Sequence, residues 1–295
     1  MSIWWAVSIM RNLLRSGFMR LKTSIYFYGA LIVTFLYSLF LSVLSPNYVL
    51  RDGVPVTLIG GGTFMLLPVY LFASAAFVCL FLGEEQQDRM LNASVIAGYT
   101  HAQVYLSRLI VCCIGNLLIL LPAIFVSIVI GCIQDGIWVQ SVPILLFYLA
   151  SCMAMSTALT AVQVLAALLI PRPSLSIVIT LLLSLGLFMV SLQVYDLLAA
   201  PAAYPDYSLA APDMSPDEIK QLPMIGNPQY VQKPLRSWLE FFQCISPVGQ
   251  LVEHMYVIRY PEVIPLRIDW LIASVLVALA AAATGVAAFR RADLR

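Results

Sequence analysis

The stretch GEEQQDRMLNASVIAGYTHAQVYLSRL, residues 83–109, is the one long polar interruption in the apolar first two-thirds of the chain. Glu84, Glu85 and Asp88 gather where a helix is expected to begin, because acidic groups are favoured at the positive end of a helix dipole. Met90, Leu91, Ser94, Val95 and Ala97 then recur at roughly helical spacing, which leaves Arg89, Asn92 and Ala93 on the opposite face. Gly98 is expected to stop this helix, since glycine takes the left-handed C′ conformation at little cost. Thr100, with Gln103 three residues on, reads as a capping box that starts the next helix. The product is a short amphipathic helix over 84–97, a sharp turn, and a long apolar helix leaving from it. That shape suits a piece that sits beneath a membrane domain and is pushed by a soluble body.

Composition supplies the membrane domain. Of 295 residues, 61% are hydrophobic and only 11% charged, with a mean hydropathy of +0.92, whereas a soluble domain carries about 25% charged residues. The chain is therefore read as an integral membrane protein with membrane lipid as an obligatory partner. A net charge of +1 leaves no basic field for nucleic acid, which is excluded as a partner. Most cysteines (Cys79, Cys112, Cys113, Cys152) fall inside apolar runs and behave there as small hydrophobes. Cys132 and Cys244 fall on the outer side, where a disulfide between them is allowed. The first apolar run is about 20 residues long with no small-residue cleavage site, so no cleaved leader is expected.

The expected fold class is an all-α membrane protein with six transmembrane helices, preceded by an interfacial helix over 1–22. In that helix Ser8, Arg11, Arg15 and Lys22 follow one stripe and Trp5, Ile9 and Leu13 another. Spans are expected at 24–44, 63–82, 105–130, 143–170, 175–198 and 268–289, each near the ~20 apolar residues that a bilayer requires. The first five lie within 23–198, and the sixth opens the closing segment 268–295. Arg11, Arg15, Arg20, Lys22, Arg89, Arg108, Arg172, Arg290, Arg291 and Arg295 fall on one side of this arrangement, against Arg51 alone in the short loops opposite. By the positive-inside rule both termini and residues 83–109 face the cytosol. The segment 199–267 is then a large extracytosolic loop between the last two spans. Its first half is proline-dense (Pro201, Pro205, Pro212, Pro216, Pro223, Pro228, Pro234) and hence mostly extended, with a helix start at Ser215-Pro216-Asp217-Glu218. Its second half, 237–257, suits two short helices at or dipping into the outer interface, or else a plain packed cap; Trp238, Phe241, Phe242, Leu251 and Met255 supply the apolar faces.

The chain carries no motif for energy conversion. A P-loop needs lysine after glycine to hold phosphates, and the only lysines are Lys22, Lys220 and Lys233, none of which follows a glycine. If ATP drives this protein, another chain binds it. The spans hold charges only at their ends, which argues against an ion-coupled carrier, and Asn116 and Gln163 read as hydrogen-bonding glue between helices. One enzyme signal competes: Glu84-Glu85-Gln86-Gln87-Asp88-Arg89 resembles the EExxxR signature of CAAX-protease-like intramembrane hydrolases. That chemistry also needs histidines beside the glutamates, and the only two, His101 and His254, are expected on opposite faces.

The same residues carry a broader resemblance. Glu85, Leu91, Gly98, His101 and Tyr105-Leu106-Ser107-Arg108-Leu109 resemble the cytosolic loop of ABC-2 type (type V) ABC transporter permeases. The resemblance extends to the leading amphipathic helix, the six spans, the loop between the last two, and the closing Phe289-Arg290-Arg291-Ala292-Asp293. Arg89-Met90 and His101 depart from the family's usual Gly-Thr and arginine. What the resemblance implies is a permease subunit in the cytoplasmic (inner) membrane, working with an ABC ATP-binding subunit that holds ATP and magnesium, and paired with a second copy or a paralogue. No cofactor, metal or catalytic residue is expected on this chain. Glu84, Glu85, Asp88, Arg89, Leu91, Asn92 and Val95 would form the coupling surface. Met65, Phe72, Phe77, Phe188, Met189 and Gln193 are the candidate path for peptides or other amphipathic cargo moving outward.

Overall fold

Ser24 divides the first 44 residues into two helices. Its Oγ accepts a hydrogen bond from the amide of Phe27 at 3.4 Å, the N-cap arrangement that satisfies an orphan donor, so α1 (Ile3–Thr23) stops and α2 (Ile25–Leu44) begins. A computed structural model describes residues 3–44, 48–51, 54–57, 64–88, 90–135, 142–170, 172–206, 208, 218, 221–256 and 267–291. Within these, the side chains of 3–9, 48–51, 54–57, 91, 92, 131, 132, 134, 135, 142 and 291 are not described. Arg89, the helix start at Ser215 and the closing Ala292-Asp293 therefore lie outside the described residues, and the side chains of Trp5, Ser8, Ile9, Leu91, Asn92 and Cys132 outside the described side chains.

After a small antiparallel hairpin of β1 (Tyr48–Arg51) and β2 (Val54–Thr57) come α3 (Leu67–Gln87), α4 (Met90–Ile96), α5 (His101–Asp135), α6 (Val142–Leu169) and α7 (Pro173–Ala199). A second hairpin pairs β3 (Ala203–Pro205) with β4 (Met224–Gly226). The short helices α8 (Leu235–Ile245) and α9 (Pro247–Tyr256) lead to the last helix, α10 (Ile268–Arg291). Among the described residues six helices are long and apolar enough to cross a membrane: α2, α3, α5, α6, α7 and α10. The chain is a multi-pass, all-α membrane protein. The second span runs to Gln87, five residues past the expected 63–82, and this shift matters for the site below.

Helices α3, α5 and α6 form the centre, with half or more of their apolar windows buried, while α2, α7 and α10 have less than a third buried. Helix α10 lies along α6, α2 along α5, and α3 along α7. Small polar side chains seal the central seams, as expected where lipid offers no hydrophobic drive between helices. Ser38 donates to the Ala123 carbonyl at 2.6 Å and Ser42 to Ser127 at 3.1 Å. Asn116 donates to Thr160 at 2.8 Å and Gln163 to Ser74 at 3.0 Å, and Tyr70 bonds Ser156. Asn116 and Gln163 thus do join helices. On α10, Ala281 and Gly285 meet α5: the Tyr105 hydroxyl reaches the Ala281 carbonyl at 3.5 Å, and a Cβ on Gly285 would overlap the Tyr105 ring. These two small residues therefore pack inside the subunit.

Candidate functional site

The loop at 83–109 is assembled by local rules and then fastened by distant charges. Helix α4 ends in a Schellman motif: the Tyr99 amide bonds the Ser94 carbonyl at 3.2 Å and the Gly98 amide the Val95 carbonyl at 2.9 Å. Gly98 takes a φ of 92°, which a side chain would strain. Thr100 and Gln103 form the expected capping box, with Gln103 Oε1 accepting from the Thr100 amide at 3.0 Å and Thr100 Oγ1 from the Gln103 amide at 3.3 Å.

The acidic cluster differs from expectation. Glu84 and Glu85 stand in the last turn of α3 rather than at the start of α4, where the helix dipole disfavours them. Two arginines from elsewhere offset that. Glu85, with no exposed surface, pairs with Arg108 Nε at 2.6 Å and Arg20 Nη1 at 3.0 Å, and Glu84 with Arg20 Nη2 at 3.4 Å. Arg108, near the start of α5, is also buried, while Arg20 on α1 keeps an edge in solvent and lies 5.8 Å from the centre of the Phe81 ring. Arg20 also donates to the Met90 sulfur at 2.9 Å, tying in α4. Three long helices are thus joined at one carboxylate, and Arg20 links the loop helix to it through Met90. Gly17 lets α1 approach this closely, since a Cβ there would meet Val111 at 2.7 Å and Arg108 at 3.3 Å. Gln86 donates to the Ala167 carbonyl at 3.2 Å and brings in the end of α6.

The coupling residues therefore divide. Glu85 is internal, Val95 is half-buried against the core, and Glu84, Gln87 and Asp88 are exposed beside Ala93, Ala97 and Gly98. Ile96, which the sequence pattern passes over in favour of Val95, is 86% exposed. It crowns the tip of α4, and the only signal pointing to it in the sequence is its place one step after an apolar position on a two-turn helix. His101 packs on Phe289 with ring centres 6.0 Å apart. His254 sits in a different cluster with Phe64, Tyr148 and Trp270. Neither forms an ion pair with Glu84 or Glu85 among the described residues.

The cargo-path candidates divide as well. Phe72 and Phe77 line a groove of about 650 Å³ between α2, α3 and α7, shared with Tyr26, Gly29, Val33 and Leu181. Phe188 packs edge-on behind Phe72 at 6.4 Å. Met65 is half-buried against the core, and Met189 and Gln193 lie on the exposed face of α7. Comparison with protein-family models, with curated proteins and with solved structures returned no match.

Proposed function

We propose that this chain is the membrane-spanning permease subunit of an ATP-driven exporter, with a separate ABC ATP-binding subunit docking on the tip of α4. The observation that carries this reading is the pairing of an exposed contact with a rigid mount. Ile96 stands clear of the fold, and the turn that bears it is clamped to α1, α3 and α5 through Glu85, Arg20, Arg108 and Met90. A partner that grips the tip displaces three helices together. Glu84 and Asp88, both exposed, offer acidic contacts for basic groups on that partner, and the apolar tip supplies the central anchor.

Charge distribution supports a cytosolic position for this end, and with six crossings both termini share it. The cargo proposed is a peptide or another amphipathic molecule, because the α2–α3–α7 groove is almost wholly apolar. A second copy or a paralogue completes the channel. The intramembrane hydrolase reading gains no support, since both Glu85 oxygens face guanidinium groups and are not free to activate water.

Co-expression with a neighbouring ATP-binding subunit tests the proposal. Ile96→Asp is expected to abolish co-purification and the permease-stimulated ATP hydrolysis, yet leave thermal stability within ~0.5 kcal/mol, as exposed substitutions do. Undiminished stimulation by Ile96→Asp would overturn the docking site. Proteolytic activity lost with Glu84→Ala would overturn the function.

A further inference from the structure

Helix α8 exposes its apolar arc, as the membrane-crossing helices do. Leu235, Trp238, Phe241 and Ile245 are 56%, 69%, 57% and 41% exposed, and at helical periodicity they share one arc of about 120°. The opposite arc is the one used for packing. Gln243 is buried and donates to the carbonyls of Ser191 at 3.4 Å and Gly249 at 3.2 Å. Arg236 donates to the Leu198 carbonyl at the end of α7 at 2.9 Å, bonds Glu240 at 3.1 Å and lies over the Tyr230 ring. A helix facing water would reverse this arrangement, and four large apolar side chains on one arc mark a surface that something covers.

We infer that α8 is a lipid-inserted helix, its Leu235–Trp238–Phe241–Ile245 face lying in the boundary between headgroups and acyl chains. The occupant is argued from continuity with the lipid-facing belt. Helix α8 packs on α10 and α7; the first turns of α10 expose Ile268 and Ile272, and the last turns of α7 expose Leu197. Trp238, the most exposed of the four, is the residue type that favours this boundary. The attraction is apolar rather than electrostatic. Arg236 and Glu240 neutralise each other, Arg267 is held by Asp269 at 2.8 Å, and no cluster of lysines and arginines marks the described surface of α8. Bound to lipid on one face and to α7 and α9 on the other, α8 ties the outer leaflet to the outer end of the bundle.

The test uses the full chain reconstituted in vesicles of phosphatidylcholine, or of phosphatidylcholine with phosphatidylglycerol, with and without bromine on the acyl chains. The emission of Trp238 is read as the difference between wild type and Trp238→Phe, a substitution that keeps the face apolar. Trp238 is expected to emit at short wavelength, to lose most of its emission in brominated lipid of either composition, and to ignore iodide. Phe241→Trp in the Trp238→Phe background is a second probe with the same expectation. Quenching by iodide but not by bromine would overturn the inference by placing the face in water. Protection from both quenchers would overturn it by placing the face against a second copy. Bromine quenching only with the anionic lipid would overturn the apolar basis of insertion.

Discussion

The two ends of the bundle are locked by opposite chemistry. At the end bearing α4, a buried carboxylate is shared between guanidinium groups on α1 and α5. At the other end a neutral network does the work: Gln250 donates to the carbonyls of Cys244 at 2.7 Å and Trp270 at 3.1 Å, accepts from Ser274 at 2.6 Å, and its own carbonyl contacts His254 at 2.7 Å. Charges that are strongly coupled make a joint that moves as a unit or fails as a unit. Neutral bonds spread over one side chain make a joint that weakens bond by bond.

The charged end breaks hardest. Glu85→Ala leaves Arg108 buried without its anion, and removing one partner of a buried pair costs about 3–5 kcal/mol. The expected outcome is a steep fall in the fraction surviving heating as a single species in detergent. Glu85→Leu combined with Arg108→Met is expected to recover most of that loss, because replacing both charges by apolar groups removes the desolvation penalty as well. A single variant that melts with wild type would show that the cluster is solvated and would end the contrast between the two ends.

The neutral end should yield less. Gln250→Leu preserves volume but strands two carbonyls and the Ser274 hydroxyl, for which about 1–3 kcal/mol is expected. Thermal melts of the same preparation check this. A loss larger than that of Glu85→Ala would invert the comparison.

Much of the charged end is legible in the sequence, and its limits are instructive. Gly98 and the Thr100–Gln103 box are local rules within a few residues, and they are met in every bond. The partners of Glu85 lie 65 residues before it and 23 after it, so no local pattern reveals them. Without them the dipole rule places Glu84 and Glu85 at a helix start. Periodicity misjudges the phase of α4 by one residue, Val95 for Ile96, because a helix of 7 residues has too few turns to fix which face is free. At the other end, the amphipathic pattern of α8 is visible, but periodicity states only that two faces differ. It does not say that the face bearing Gln243 is the one packed inward, nor that most of α9 beside it is buried.

The smallest effect expected in wild type is the pH dependence contributed by α9, a helix of 10 residues outside the six spans. Burial pushes the Glu253 carboxyl up to about 7 from its ordinary 4.5, with Arg267 pulling it back and Asp269 adding to the rise. Burial holds the adjacent His254 down to about 4 from 6.5, against its bond to the Gln250 carbonyl. Each shift opposes folding in its own window. The Glu253 carboxyl makes stability fall as pH rises from about 4.5 to 7, because the folded state keeps a proton that the unfolded chain has released. His254 makes stability fall as pH drops from about 6.5 to 4, because the unfolded chain takes up a proton that the folded state refuses. Between pH 4.5 and 6.5 both states hold the same number of protons on this pair, and the two slopes cancel. This pair should therefore contribute almost no pH dependence to the melting of wild type across that range. Glu253→Gln removes one slope, so its melting temperature should climb from pH 4.5 to 6.5, and His254→Gln should show the reverse. Two flat single variants would mean that neither group is withdrawn from water, and the neutral end would lose its distinguishing feature.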